Sequence, residues 1–272
     1  MLKVSEHGPF TRIRMGRKVL GWIVYESSAF LLGDTLVDSG CPATARALTE
    51  WCRGRGVRRV VHTHHHEDHV GGDARLKADL GVRIEAPPRT VSILADFYRI
   101  PTYRRMVWGQ PESVEASPFS DRVEFGGHSF DVLPTPGHAA DHVCLFEPRE
   151  GWLFTGDLYI SPRVRYLRPS EDPGTILASL RRLLALEPHL LICSHAGVVE
   201  NGRDALEERI ASWEILAERA RKLASGGHSD RAITRRLLGR EGLLAWLSLG
   251  DFAKLNLVRG LLRSSVTGGK KL

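Results

Sequence analysis

The chain has 272 residues, of which 42% are hydrophobic and 26% are charged. This length suits one large α/β domain with an extension or two modest domains, and the composition is that of an ordinary globular protein rather than a disordered one. No apolar run approaches the roughly 20 residues that a transmembrane helix needs, and the N-terminus lacks the apolar core of a secretory signal. We therefore expect a cytoplasmic protein without a membrane partner.

The formal net charge is +6, and nearly all of the excess lies in residues 200–272, which hold 14 basic and 9 acidic residues. Such a mild excess permits attraction to anions, so a nucleic-acid partner stays open but is not favoured. The four cysteines are scattered and form no C-x-x-C pair. That spacing indicates reduced intracellular thiols rather than disulfides.

Short apolar runs between turn residues predict strands, and runs of good helix formers that stop at glycine predict helices. In the first half, the predicted strands are 21–25, 29–32, 35–38, 57–61 and 82–86, and the predicted helices are 43–53, 73–79 and a stretch from residue 90. In the second half, the predicted strands are 122–125, 128–133, 143–146, 152–155 and 190–193, with a helix at 175–186. This pattern predicts an α/β fold of two similar halves, stacked sheet on sheet with helices outside.

The character of the chain changes after the last predicted strand. Residues 204–224, 229–238 and 243–262 are each typical of helices. We therefore predict a catalytic domain over residues 1–203 and a helical C-terminal extension over residues 204–272. The helices at 229–238 and 251–262 could mimic a helix-turn-helix, but ordinary amphipathic packing is favoured.

A histidine-rich segment follows the strand predicted at 57–61, with the sequence Thr63-His64-His65-His66-Glu67-Asp68-His69-Val70-Gly71-Gly72. Its ligand-type residues cannot all lie on one helix face, but an extended loop at the end of a strand could direct them into one pocket. Neutral imidazoles suit zinc or iron, and a carboxylate adds compensating charge. By the parity of an extended segment, His65 and Glu67 would point away from His64, and His62 would be a supporting residue.

Further ligand-type residues follow apolar strands downstream. They are His138, Asp157 and His195, and Asp38 stands in a similar place earlier in the chain. Taken singly, each would more often be a turn aspartate or a hydrogen-bonded histidine than a metal ligand. Their combination with the histidine-rich segment is far more specific than any one of them.

In the order of these motifs, the chain resembles the metallo-β-lactamase superfamily of metal-dependent hydrolases across about residues 20 to 200. The resemblance implies an αββα sandwich with a dinuclear metal site at one edge, holding two zinc ions, with iron or manganese as alternatives. The implied ligands are His64, His66 and His138 for the first metal, Asp68, His69 and His195 for the second, and Asp157 as the bridge. Asp38 would be a supporting residue beneath the site, or a turn residue.

The function implied is hydrolysis of an ester-like bond by a metal-bridging hydroxide, with Asp68 and Asp157 as the catalytic carboxylates. A thioester or lactone in a small, anionic molecule is favoured as the substrate. The metal loop is similar to that of the hydroxyacylglutathione hydrolases (glyoxalase II), although the sequence after Asp157 departs from their pattern, so no glutathione-binding residues can be transferred.

Three alternatives stay open. The helical tail resembles that of small β-lactamase-like proteins, which favours a phosphodiesterase or ribonuclease. The persulfide dioxygenases share the motif with a mononuclear iron site, which here would be His64, His138 and Asp157. A non-enzymatic binding module is the third alternative, and the intact set of ligand residues argues against it.

Two connections could contact the substrate. The segment from Tyr98 to Trp108 mixes aromatic residues with arginines and is long enough for a lid, with Tyr103 and Trp108 as candidate contacts. After Asp157, Arg163 and Arg165 share one side of an extended segment and could meet an anionic group. Tyr159 is a further candidate, because the lactonases of the superfamily use a tyrosine shortly after the bridging aspartate.

Overall fold

A computed structural model describes residues 1–19, 22–23 and 25–264, and in it the chain forms two compact units. The first comprises Met1–Pro134, Asp141–Asp157 and His189–Glu200; the second comprises Thr135–Ala140, Leu158–Pro188 and the described chain from Asn201 onward. Neither unit is continuous in sequence. The predicted division at residue 203 stays a prediction about the domains.

The described strands all belong to the first unit. In chain order they are β1 (Leu2–His7), β2 (Phe10–Met15), β3 (Lys18–Val19), β4 (Trp22–Ile23), β5 (Ser27–Leu32), β6 (Thr35–Val37), β7 (Arg59–Val61), β8 (Arg83–Ala86), β9 (Ser117–Pro118), β10 (Arg122–Phe125), β11 (His128–Pro134), β12 (Val143–Glu147), β13 (Trp152–Gly156), β14 (Leu190–Cys193) and β15 (Gly197–Glu200). One sheet has the order β1-β2-β5-β6-β7-β8-β9, another has the order β10-β11-β12-β13-β14-β15, and β3 pairs with β4.

Parallel pairing places the candidate ligands. The strands β6, β7, β8 and β9 pair in parallel, as do β13 and β14. Carboxyl ends of parallel neighbours meet at the same edge of a sheet, which is where ligands bind in α/β folds. Asp38 directly follows β6, His62 follows β7, Asp157 follows β13, and His195 lies two residues after β14.

Alternation along the strands builds two apolar layers. Val60 and Leu36 join a buried cluster with helix residues such as Leu48 and Leu76, whereas their neighbours Val61 and Val37 join a cluster that also contains residues of the second sheet. Successive side chains of a strand point to opposite faces, so the central strands of the first sheet are buried on both sides. This burial fixes their register.

The helices of the first unit are α1 (Ala45–Cys52), α2 (Glu67–Val70), α3 (Asp73–Leu80), α4 (Pro88–Ala95) and α5 (Thr102–Val107), preceded by a 3-10 turn at Pro42–Thr44. Those of the second unit are α6 (Pro173–Leu184), α7 (Gly202–Ser225), α8 (Asp230–Leu238), α9 (Leu243–Leu247) and α10 (Lys254–Arg263). None of the helices in the described ranges is long and apolar enough to cross a bilayer.

The second unit has a small core of its own. Ala220 of α7, Ile233 of α8 and Val258 of α10 form a buried apolar cluster. Asp172 caps α6 by accepting hydrogen bonds from the N–H groups of Gly174 (2.8 Å) and Thr175 (3.3 Å). Because Ile233 lies in this apolar cluster, the inner face of α8 is used for packing, as the amphipathic pattern predicted.

Several elements differ from the sequence prediction. The strands β1, β2 and β15 and the helix α5 were not predicted, although in β2 Ile13 and Met15 alternate with arginines and are buried. The helix predicted at 243–262 is split into α9 and α10, and the break contains Leu249 and Gly250, both with positive φ. In the strand predicted at 21–25, Gly21 and Val24 lie outside the described residues.

Candidate metal centre

The histidine-rich segment changes conformation in its middle. His66 is extended, with φ −62° and ψ 148°, and α2 then carries Asp68 and His69 on a single turn. The predicted wholly extended loop is therefore wrong for these last residues. On a helical turn successive side chains are rotated by about 100° instead of 180°, so the neighbouring residues Asp68 and His69 can both direct a ligand atom to the same cluster, which the parity of an extended segment does not predict.

Gly71 and Gly72 are required by close packing. A Cβ on Gly71 would lie 2.1 Å from Cδ of Pro42, and one on Gly72 would lie 2.5 Å from the carbonyl oxygen of Ser39. Both glycines have negative φ, in a region that is open to any residue. A backbone conformation that only glycine adopts is thus not the reason for glycine here; the loop after β6 lies too close for any side chain.

Two overlapping clusters of ligand atoms lie in the first unit. Asp68, His69, Asp157 and His195 each offer one atom, and these atoms all lie within 4.8 Å of one another. His64 and His66 approach Asp157 within the same limit, and Nε2 of His64 is 2.9 Å from Nδ1 of His66. Asp157 therefore belongs to both clusters, which is the arrangement a bridging carboxylate needs.

Asp38 organises the floor of the site. It is buried with φ 62°, and its Oδ2 atom lies 2.7 Å from Nδ1 of His69. Its Oδ1 atom accepts a hydrogen bond from the backbone N–H of Thr63 at 3.0 Å. A carboxylate on Nδ1 fixes the imidazole so that Nε2 faces the cluster. His62 lies beneath, with Nε2 2.8 Å from Asp73.

The electrostatics of the cluster favour added positive charge. Burial alone would lower the pKa of His69, but the carboxylates of Asp157, Asp38 and Asp68 outweigh it and hold the pKa well above its usual value. For His195, burial is likewise outweighed, first by Asp157, and the pKa rises to about 9. Burial would raise the pKa of Asp157, yet His195 and His69 hold it well below its ordinary value. A cation would take the place of the protons that these imidazoles bind.

His65 and Glu67 turn away from the clusters. Nδ1 of His65 lies 2.8 Å from Asp141, and its Nε2 lies 3.2 Å from the hydroxyl of Tyr98. Glu67 accepts two hydrogen bonds of 2.6 Å from the guanidinium of Arg104. These contacts, rather than extended parity, account for the orientation of both side chains.

The sequence reasoning missed His142 and Asp141. The backbone N–H of Asp157 donates to Nε2 of His142 at 3.1 Å, and the ring of His142 lies 4.9 Å from that of His64. Gly156 has φ +48°, and a Cβ there would lie 2.5 Å from Nε2 of His142. The Asp-His pair three residues after His138 was the available signal for both.

His138 belongs to the second unit, so its place among the ligands stays a prediction. Its Nδ1 atom lies 2.6 Å from Oε1 of Glu171, and both side chains are buried. Oε2 of Glu171 accepts the backbone N–H of Arg168 at 2.6 Å. Burial would raise the pKa of Glu171, but His138 and Arg168 together lower it. Glu171 was not singled out from the sequence, where nothing links it to His138.

The predicted substrate contacts have different environments. In the first unit, Trp108 is buried, with its ring 6.1 Å from that of Tyr25, and Tyr103 on α5 is half-buried. In the second unit, Tyr159 is buried, whereas Arg163 and Arg165 are exposed. Arg163 lies 3.7 Å from Glu208, with 77% of its side chain exposed, so this ion pair is weak. Substrate contact by all five residues stays a prediction.

The donors suit a divalent transition metal. Imidazole nitrogens and carboxylate oxygens converge without any thiolate, which is the ligand chemistry of catalytic zinc, and of iron or manganese as alternatives. Carboxylates contact Nδ1 of His69 and Nδ1 of His138, which leaves Nε2 of each ring for a metal. The residues therefore fit a metal centre rather than a structural thiolate site.

Comparison with known proteins points to one family. The sequence profile described as "Metallo-beta-lactamase superfamily" matches residues 23–195. A hydroxyacylglutathione hydrolase of Rhizobium meliloti (strain 1021) is 33% identical over 173 residues, covering 60% of each chain. One from Stenotrophomonas maltophilia (strain R551-3) is 35% identical over 168 residues, covering 61% of this chain and 57% of the relative. The match thus spans about 60% of these relatives.

Solved structures share the fold. A beta-lactamase domain protein from Burkholderia ambifaria aligns with a TM-score of 0.74 at 22% identity, covering 95% of this chain and 87% of the other. A metallo-beta-lactamase family protein from Thermus thermophilus aligns with a TM-score of 0.64 at 20% identity, covering 93% of this chain and 91% of the other. Together with the profile match, these alignments confirm the predicted fold class: two sheets with helices, followed by C-terminal helices.

Proposed function

The chain belongs to the metallo-beta-lactamase superfamily, and from this we propose that it is a metal-dependent hydrolase that cleaves a thioester or a related ester-like bond. The observation that carries the proposal is the convergence of Asp68, His69, Asp157 and His195 within 4.8 Å. The hydroxyacylglutathione hydrolases among the relatives support a thioester as the first substrate to test.

The proposed ligands are the seven residues of the motif, with two zinc ions as the cofactor. Bound divalent cations lower the pKa of water towards 7 and polarise the oxygen of the scissile group. The protein residues have separate tasks. Asp38 orients His69, and Glu171 orients His138. The hydrogen bond from the backbone N–H of Asp157 to Nε2 of His142 fixes the loop that carries the Asp157 carboxylate, the proposed bridge.

Asp68 is the proposed proton acceptor. Its Oδ2 atom lies 3.5 Å from Nε2 of His195 and 3.9 Å from Nε2 of His69. A carboxylate held there can accept a proton from the attacking nucleophile and later return it to the leaving thiol or alcohol. The leaving group departs more readily when it receives that proton.

The test combines elemental analysis with a substrate panel. Protein purified without added metal should contain close to two equivalents of metal and should hydrolyse S-lactoylglutathione, an acyl-CoA or an acyl-homoserine lactone faster than nitrocefin, bis-p-nitrophenyl phosphate or single-stranded RNA. One equivalent of iron with oxygen consumption on a persulfide would instead indicate the dioxygenase. Preference for the phosphodiester or the RNA would indicate the nuclease alternative.

Matched variants test the ligand set. Asp157→Ala and His66→Ala should lose metal and activity by orders of magnitude while staying folded. His65→Ala is the control, because the ring nitrogens of His65 contact Asp141 and Tyr98 and are not among the ligand atoms of the clusters. Equal loss of activity in His65→Ala would contradict the assignment.

Recognition of a negative charge on the substrate is a separate part of the proposal. Arg163 and Arg165 are exposed, so their contribution should be modest and sensitive to salt. Replacing both by Gln should raise KM for an anionic thioester more than for a neutral ester, and added salt should reduce the difference. Equal changes for both substrates, or none, would mean that these arginines are not substrate contacts.

A further inference from the structure

The short helix α9 and the turn after it expose an unusual group of large apolar side chains. We define the apolar patch as Leu243, Trp246, Leu247 and Leu249, which are 74%, 79%, 61% and 97% exposed. Single exposed leucines are common on protein surfaces, but four large apolar residues within seven positions are not. The patch therefore requires an explanation beyond folding.

Folding gains little from these side chains. The residues of this segment that are buried are the small Ala245 and Ser248, which is the reverse of an ordinary surface helix, where large apolar residues face inward. Leu249 also has φ 54°, a left-handed conformation that favours glycine or asparagine at the end of a helix. A leucine in this position is strained and almost fully exposed.

Exposed arginines precede the patch in the chain. Arg231, Arg235 and Arg236 are exposed on α8, and Arg240 is exposed on the connection that leads into α9. Arg231, Arg235 and Arg240 line one shallow groove of about 270 Å³. This groove carries three positive charges and extends to Glu241, two residues before the patch begins.

The nearby carboxylates offset only part of this positive charge. Asp230 pairs with Arg259 at 3.1 Å. The carboxylate of Glu241 accepts the backbone N–H groups of Lys254 and Leu255, at 3.1 Å and 2.9 Å. Asp230 and Arg259 thus offset each other, and Glu241, which lines the same groove, opposes three arginines with one negative charge, so the groove keeps a net positive charge.

We propose that the apolar patch and these arginines form a docking surface for an anionic lipid bilayer. Protruding Trp and Leu side chains can insert at the headgroup boundary, while adjacent arginines attract anionic lipids. The four side chains are exposed to solvent, so they can insert into the deformable headgroup region of a bilayer. Such docking needs no membrane-spanning helix, and none occurs in the described ranges. The inference does not depend on the proposed hydrolase activity.

The test is sedimentation of the full chain with vesicles of phosphatidylcholine alone or with about a third phosphatidylglycerol. Binding should favour the anionic vesicles and weaken with salt. The double variant Trp246→Ser, Leu249→Ser should lower the partition coefficient about tenfold or more. Ile215→Ser is the matched control, because Ile215 is 49% exposed on α7 and lies outside the patch.

Two further variants separate the contributions. Arg235→Gln with Arg236→Gln should weaken binding to the anionic vesicles only. Trp246→Phe should still bind, but the blue shift of tryptophan emission on vesicles should be lost. Equal binding to both vesicle types, or no binding at low salt, would overturn the proposal. Dimerisation without lipid that depends on Trp246, or capture of an acidic polypeptide in place of vesicles, would also overturn it.

Discussion

Nδ1 of His138 and Oε1 of Glu171 lie 2.6 Å apart, and both side chains are buried in the second unit. The carboxylate of Glu171 therefore fixes the orientation of the His138 ring and makes Nε2, its other nitrogen, a stronger metal ligand. His138, a predicted metal ligand, lies in a turn between two strands. Its contact with Glu171 is the kind of carboxylate support that metal-binding histidines usually have.

Glu171→Gln should consequently weaken metal binding about tenfold to a hundredfold, because the amide lacks the charge of the carboxylate. Competition with a chelator measures the affinity without relying on turnover. Glu187→Gln is the control, because Glu187 is exposed and lies 3.7 Å from Arg203. Unchanged metal affinity in Glu171→Gln would contradict the supporting role.

Gly156→Ala tests the packing of the loop that carries Asp157. The added Cβ would lie 2.5 Å from Nε2 of His142 and 3.0 Å from Cβ of Thr63, so the loop must shift and metal content should fall with activity. Gly54→Ala is the matched control. Gly54 has φ +75° and no atom within 4 Å of an added Cβ, so only about 1 to 2 kcal/mol of strain is expected there. Similar metal loss in both variants would show that strain, and not the contact with His142, is responsible.

The pair of Arg104 and Glu67 anchors α5 to the histidine-rich segment. Their side chains are 12% and 1% exposed, and two hydrogen bonds of 2.6 Å join them. Arg104→Ala leaves a buried carboxylate without its cation and should lower the free energy of unfolding by about 3 to 5 kcal/mol. Adding Glu67→Gln should recover part of that loss, as measured in a double-mutant cycle by urea unfolding. Additive effects would mean that the two side chains do not interact.

The thiol of Cys52 should be unreactive in the folded chain. Burial raises its pKa to about 12, against a small opposing effect of Arg55. Because the thiolate is the reactive form, near pH 8 its population should be roughly a thousandfold lower than in the unfolded chain. The other three cysteines are also buried, so a thiol reagent should react slowly until denaturant is added and should then modify four thiols. Rapid reaction of Cys52 in native buffer would contradict its burial.

Patterns along the chain were enough to establish the fold class, most of the strands and the residues whose types suit a metal. Apolar runs such as those of β7, β12 and β14 can be recognised in the sequence because strands that are buried on both faces are apolar at successive positions. The histidine and aspartate residues can be recognised as candidate ligands because their side chains bind metal ions where several of them converge.

The way in which these residues are supported became visible in three dimensions alone. Pairings such as His138 with Glu171, 33 residues apart, or Asp157 with His142, 15 residues apart, leave no periodic signal in the chain. The same holds for Gly71, whose need for a small side chain arises from Pro42 in another connection. Local patterns record which face of an element is buried, whereas the position of a residue that supports a ligand depends on how distant loops meet.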